Sequence, residues 1–89
     1  MLNPSFTNQF QKDVKGMKKR NKDMQKLKLI MSKLINEENL EERYRDHKLS
    51  GEYKGRRDCH IEPDWVLIYK KTDSEIIFER TGSHSDLFR

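Results

Sequence analysis

The sequence predicts an α+β domain, an N-terminal antiparallel helix hairpin packed on a small antiparallel β-sheet. Three observations predict it. Apolar residues recur at spacings of three and four through the first third of the chain, three short runs of strand character fill the second half, and the links between those runs are about three residues long. Residues 1–89 are read as one domain, because a second core would leave neither half enough buried surface to offset chain entropy. With 33% hydrophobic and 38% charged residues, the apolar side chains must be concentrated on a few element faces.

The first segment, Met1 to Ser5, is a possible short strand, and Pro4 removes a backbone donor there, so only an edge role is open to it. From Phe6 to Met17 the residues Phe6, Phe10, Val14 and Met17 form a helical stripe, with Ser5 as its N-cap and Lys12, Lys15, Lys18 and Lys19 turned away. From Lys22 to Asn36 the pattern repeats: Met24, Leu27, Met31, Leu34 and Ile35 lie on one side, and Lys22, Lys26 and Lys33 on the other. The short link Lys19 to Asn21 makes the two helices an antiparallel hairpin. The charged segment after residue 36 reads as a loop with one helical turn around Glu41 to Arg45.

Three strands follow. Lys54 to Ile61 alternates Arg56, Asp58 and His60 with Arg57, Cys59 and Ile61. Trp65 to Lys71 is apolar on both parities and is therefore central, and Glu75 to Thr81 places Ile76, Phe78 and Arg80 on one parity. The links Glu62 to Asp64 and Thr72 to Ser74 are too short for anything but antiparallel hairpins.

Charge is one-sided. Residues 1–36 carry a net +7 and residues 37–89 a net −3. Such a field attracts a polyanion, so nucleic acid or a ribosome surface is one reading of the lysine-rich helices, and a solvated helix face is the other. No stretch is apolar enough to span a bilayer, the first ten residues lack the apolar centre of a secretion signal, and the single Cys59 cannot form an internal disulfide. A cytoplasmic location with no membrane partner is the expectation.

The three histidines all sit at element ends. His60 and Asp64 flank a turn at the sheet rim, and His47 and His84 reach the same rim from the loop and the tail, which would gather groups that exchange protons near neutral pH. Three separate surface histidines are the bland alternative. Cys59 and His60 are strand neighbours pointing to opposite faces, and no paired Cys or His spacing suits a metal, so neither a metal site nor a cofactor is expected. Cys59 reads as a small core residue. Arg80, where the last strand runs out, either contacts phosphate through its fork of donors or forms a structural ion pair.

The run DHKLSGEYKGRRDCHIEPDWVLIYKKTDSEIIFERTGSHSDLF, residues 46–88, resembles the C-terminal half of the YafQ branch of the RelE-type toxins, bacterial ribonucleases of type II toxin-antitoxin systems. The matching elements are DH followed by L and G, RD and one residue before H, PDW before an apolar strand, ER with TGSH, and LF near the end. The helical stretch KDMQKLKLIMSKLIN is also similar.

The resemblance implies an mRNA interferase that cleaves messenger RNA in the A site of the 70S ribosome without a metal, and that a cognate antitoxin inhibits. Operator DNA would be bound only through the antitoxin complex. Position by position, it implies roles in proton transfer and substrate placement for His47, His60, Asp64, His84 and Phe88, with His84 favoured as general acid. Trp65 would shape the site and Arg80 contact phosphate. Lys15, Lys18, Lys19, Lys22 and Lys26 would grip ribosomal RNA. Which residue is the general base stays open. The alternative function is a basic RNA- or ribosome-binding module that cuts nothing.

Overall fold

A computed structural model of the chain describes residues 1–88. Strand β1 (Asn3–Phe6) leads into helix α1 (Asn8–Lys19) and helix α2 (Met24–Ile35). A short strand β2 (His47–Lys48), strands β3 (Arg57–Glu62), β4 (Trp65–Lys71) and β5 (Glu75–Gly82), and a four-residue helix α3 (His84–Leu87) follow. The sheet order is β1-β5-β4-β3-β2, with β4 central as its two apolar parities require.

The edge strand forms, but it joins β5 in parallel, so the sheet is mixed where an antiparallel one is expected. The two helices crossing the sheet supply the long connection that a parallel pair needs. Pro4 is tolerated because β1 has only one neighbour. Ser5 stays in the strand opposite Ile77, which moves the N-cap of α1 to Thr7. The Thr7 hydroxyl oxygen accepts from the Phe10 amide at 2.9 Å, and the hydroxyl donates to the Glu79 carbonyl at 2.9 Å, so one side chain starts the helix and ties it to β5.

Asn21 at φ 60° ends α1, with the Lys22 amide donating to the Met17 carbonyl, and Asp23 caps α2 through the Gln25 amide. The buried stripe of α2 is Leu27, Ile30 and Leu34; Met31 and Ile35, expected on it, are only partly buried.

The main core lies between the helices and one sheet face, built from Phe10, Met17, Leu27, Ile30, Cys59, Trp65, Leu67, Tyr69, Ile76 and Phe78. Cys59 is fully buried, which pushes its thiol up and makes it the small core residue its strand parity implies. The other face carries a smaller cluster of Val66, Ile68 and Leu87 covered by Leu49 and Tyr53. No described helix is long and apolar enough to cross a membrane.

Two irregularities reset the strand parities. Between β4 and β5 the register passes from Ile68 opposite Arg80 to Tyr69 opposite Phe78, so Glu79 is an extra residue and Arg80 no longer shares a face with Phe78. Between β3 and β4 a similar shift after His60 lets Glu62 pair with Trp65, leaving Pro63 and Asp64 as the turn.

Candidate active site

The candidate site lies on the sheet face away from α1 and α2, at the end where β3 turns into β4. Strand alternation builds most of it. Asp58 and His60 share the face opposite Cys59, and pairing of His47 with Asp58 in the β2–β3 ladder brings His47 alongside. His84 arrives from α3. The ring centroids of His60 and His84 are 5.1 Å apart, those of His47 and His60 6.3 Å, and those of His84 and Phe88 6.0 Å. Phe88 also packs edge-on against Tyr53 at 5.6 Å.

Helix α3 is held by a capping box. The Asp86 amide donates to the Ser83 hydroxyl at 3.1 Å and the Ser83 amide to Asp86 Oδ2 at 2.9 Å. Arg20 Nη1 donates to the same Asp86 Oδ2 at 2.8 Å, and together these donors hold the Asp86 carboxyl well below the usual carboxylate range. At the turn, Asp64 Oδ1 accepts from the His84 amide at 2.9 Å and from His84 Nδ1 at 2.7 Å. The backbone and then the ring donor of His84 lower the Asp64 carboxyl, so Asp64 is an acceptor and Nδ1 carries the hydrogen. His84 Nε2 is left facing outward.

His47 is engaged at both nitrogens. Nδ1 lies 2.6 Å from the Arg45 carbonyl, an acceptor only, and so donates to it; Nε2 lies 3.1 Å from Asp58 Oδ1. Asp58 is 3% exposed, and no described donor makes a well-aligned hydrogen bond to Oδ1. Burial raises its carboxyl, and the three imidazoles pull it back down. His60 has no hydrogen-bond partner among the described residues. Burial is the main cause that lowers its imidazole, assisted by His84, His47 and Arg45 and opposed by Asp58.

The structure thus brings together His47, His60, Asp64, His84 and Phe88. It buries Trp65 in the core and holds Arg80 beside Tyr53, which packs on Phe88, with the Arg80 donors committed to Asp13. Trp65 is 0% exposed and its indole Nε1 donates to the Thr81 hydroxyl at 2.9 Å, so it supports the turn from the core and offers a substrate no surface. Arg80 takes the ion-pair alternative: Nε donates to Asp13 Oδ2 at 2.8 Å and Nη2 to Oδ1 at 3.4 Å. The bulge at Glu79 places Arg80 opposite Ile68, on the face of the imidazoles, yet its Nε and Nη2 are committed to Asp13. Lys15, Lys18 and Lys19 are exposed on α1, whereas Lys22 and Lys26 both pair with Glu62, at 3.1 and 3.0 Å. Sequence reasoning missed Asp58 as a site residue, although its position two residues before His60 on one strand carried the signal.

A groove of about 830 Å³ is lined by His60, His84, Pro63, Arg45, Tyr44 and Lys26, among others, and leads from the imidazoles toward α2. Among the described residues no group of three or more His, Cys, Asp or Glu side chains is arranged to hold a metal ion.

Comparison with known proteins gives consistent results. A family model described as a bacterial toxin of type II toxin-antitoxin system, YafQ, matches residues 2–89. The mRNA interferase toxin YafQ of Escherichia coli K12 is 55% identical over 84 residues, covering 93% of this chain and 91% of that protein. The crystal structure of YafQ from E. coli BL21(DE3) superposes with a TM-score of 0.95 at 50% identity, covering all of both chains. YafQ in the E. coli DinJ-YafQ toxin-antitoxin complex superposes with a TM-score of 0.93 at 52% identity, covering 99% of this chain and 98% of that one. With a family model that matches nearly its whole length and relatives this similar in sequence and fold, this chain belongs to the YafQ family of type II toxin-antitoxin toxins.

Proposed function

We propose that the chain is an mRNA endonuclease that acts on the translating ribosome by metal-independent acid-base chemistry, and that a cognate antitoxin restrains it. The observation that carries the reading is the approach of His60 and His84, 5.1 Å between ring centroids, with different hydrogen-bond commitments. Cleavage by the ribose 2′-hydroxyl needs a base to take its proton and an acid to protonate the departing 5′-oxygen. His60, kept uncharged by burial and unengaged at both nitrogens among the described residues, is the base. His84, whose Nδ1 is fixed on Asp64, presents Nε2–H to the leaving oxygen as the acid. His47, whose Nδ1 donates to the Arg45 carbonyl and whose Nε2 lies 3.1 Å from Asp58 Oδ1, flanks His60. Phe88 packs on His84 and offers 39% of its surface for a base to stack on. These side chains suffice for the proton transfers without a metal.

The relatives support the interferase and antitoxin parts of the reading: one is an mRNA interferase by name and another is solved bound to its antitoxin DinJ. Messenger RNA in the ribosomal A site is the substrate, the exposed Lys15, Lys18 and Lys19 grip ribosomal RNA, and operator DNA is reached only through the antitoxin. The net +7 of the helical half favours one second reading, a basic ribosome-binding module that cuts nothing. Incubating the purified chain with translating ribosomes and mapping new 5′ ends separates the two. Discrete new ends inside codons, undiminished by EDTA at a level that leaves the ribosomes intact, are expected; no new ends would establish the binder, and cleavage restored only by added zinc would overturn the metal-free chemistry.

A further inference from the structure

The acid and base account for the protons, but a phosphorane also needs a cation to balance its charge. Of the six described arginines, five have acidic partners: Arg20 has Asp86, Arg43 has Glu41, Arg56 has Glu79, Arg57 has Asp46 and Arg80 has Asp13. Arg45 has none among the described residues. It is exposed, it lines the same groove as His60 and His84, and its own carbonyl is the acceptor that fixes His47 at 2.6 Å.

Its backbone is the second observation. Arg45 has φ 49°, in the left-handed region that Gly or Asn adopts more easily than other residues. The left-handed residue closes the 3-10 turn Glu42–Tyr44, its amide donating to the Glu42 carbonyl at 3.0 Å, and so fixes where the Arg45 carbonyl and side chain leave the chain. The left-handed turn aims the carbonyl at His47 and leaves the guanidinium on the groove side with nothing to neutralise it.

We propose that Arg45, and not Arg80, is the phosphate-binding residue of the site, its guanidinium contacting the scissile phosphodiester held between His60 and His84. The proposal rests on the ribonuclease reading above. A planar fork of donors suits two non-bridging phosphate oxygens, and an unpaired arginine reaches them without first breaking an ion pair.

The test compares Arg45→Asn, which suits the left-handed backbone and removes the charge, with Arg45→Lys, which restores a charge on the same backbone. Single-turnover cleavage of ribosome-bound mRNA is measured at saturating protein, with ribosome affinity and Tm alongside. Arg45→Asn is expected to lose about 10²-fold in rate at unchanged ribosome affinity, and Arg45→Lys to recover at least about tenfold of it. Arg45→Gln serves as a second uncharged variant and must lose the same rate, which covers a folding defect peculiar to either. Wild-type rates in the uncharged variants, or a lysine variant no faster than the asparagine one, would overturn the assignment. A wild-type chain that creates no new 5′ ends is a different result, and sinks the ribonuclease reading itself.

Discussion

His60 works as a base only while it is uncharged, and its surroundings decide the pH at which that holds. Burial lowers its imidazole below the ordinary value of about 6.5, and Asp58 pulls the other way. The acid limb of the rate profile, measured on ribosome-bound mRNA, is therefore expected below about pH 6.5. Asp58→Asn removes the group that favours the charged imidazole, so the limb should move further toward acid. Movement toward neutral pH would contradict His60 as the base. At this scale the sequence is informative about identity and less so about commitment. The DH, RDCH, PDW and TGSH stretches mark four site residues through family likeness, and the positions of His60 and Asp64 on either side of a turn bring them to one rim. That Arg80 is taken by Asp13 depends on a partner 67 positions away, which no local pattern announces.

Helix α3 is the element that positions His84, the proposed acid, and it is only four residues long. Three devices hold it: the Ser83 capping box, the pair that Arg20 at the end of α1 makes with Asp86, and Leu87 in the second core with Val66 and Ile68. Gly82 leaves the space these need, because a Cβ there would meet Asp86 Oδ2 at 2.9 Å. Gly82→Ala is expected to displace a carboxylate already bound by two partners, costing about 1 kcal/mol of stability and roughly tenfold in cleavage rate as His84 drifts from Asp64. An alanine variant with the wild-type Tm and rate would show that α3 tolerates the shift. The N-terminus of α1 offers an independent check: Thr7→Ala, which loses a cap and a tie to Glu79, should lower stability by about 1–2 kcal/mol in denaturant titration while leaving the catalytic groups in place. An unchanged midpoint would argue against Thr7 as the cap. The long periodic helices and the doubly apolar β4 are legible in the sequence. The two-residue β2 and α3 are not, since segments so short are fixed by pairing and capping and not by periodicity.

For the molecule as a whole, folding separates charge from chemistry. Lys15, Lys18 and Lys19 lie on the helix-covered side, and the imidazoles gather at the rim of the other sheet face with only Lys22 and Lys26 of the helical half near them. The proposed ribosome capture by α1 and the proposed cleavage are therefore separable by mutation. Replacing Lys15, Lys18 and Lys19 together by Ala should weaken ribosome binding and flatten its salt dependence by roughly one unit of slope for each phosphate no longer neutralised, with the single-turnover rate at saturation preserved. An unchanged salt slope would move the ribosomal interface away from α1. The charge asymmetry is visible in the sequence, and so is the α+β class. The parallel attachment of β1 is not, because it depends on where the chain returns after both helices.

The central claim is that His84 protonates the 5′-oxygen leaving the same phosphate that the ribose 2′-hydroxyl, deprotonated by His60, attacks. Single-turnover cleavage of ribosome-bound mRNA by wild type and His84→Ala, with circular dichroism to verify the fold, tests it most directly. His84 is exposed, so the fold should survive, and the rate should fall by about 10²- to 10⁴-fold. A folded His84→Ala variant that cleaves at the wild-type rate would contradict the account.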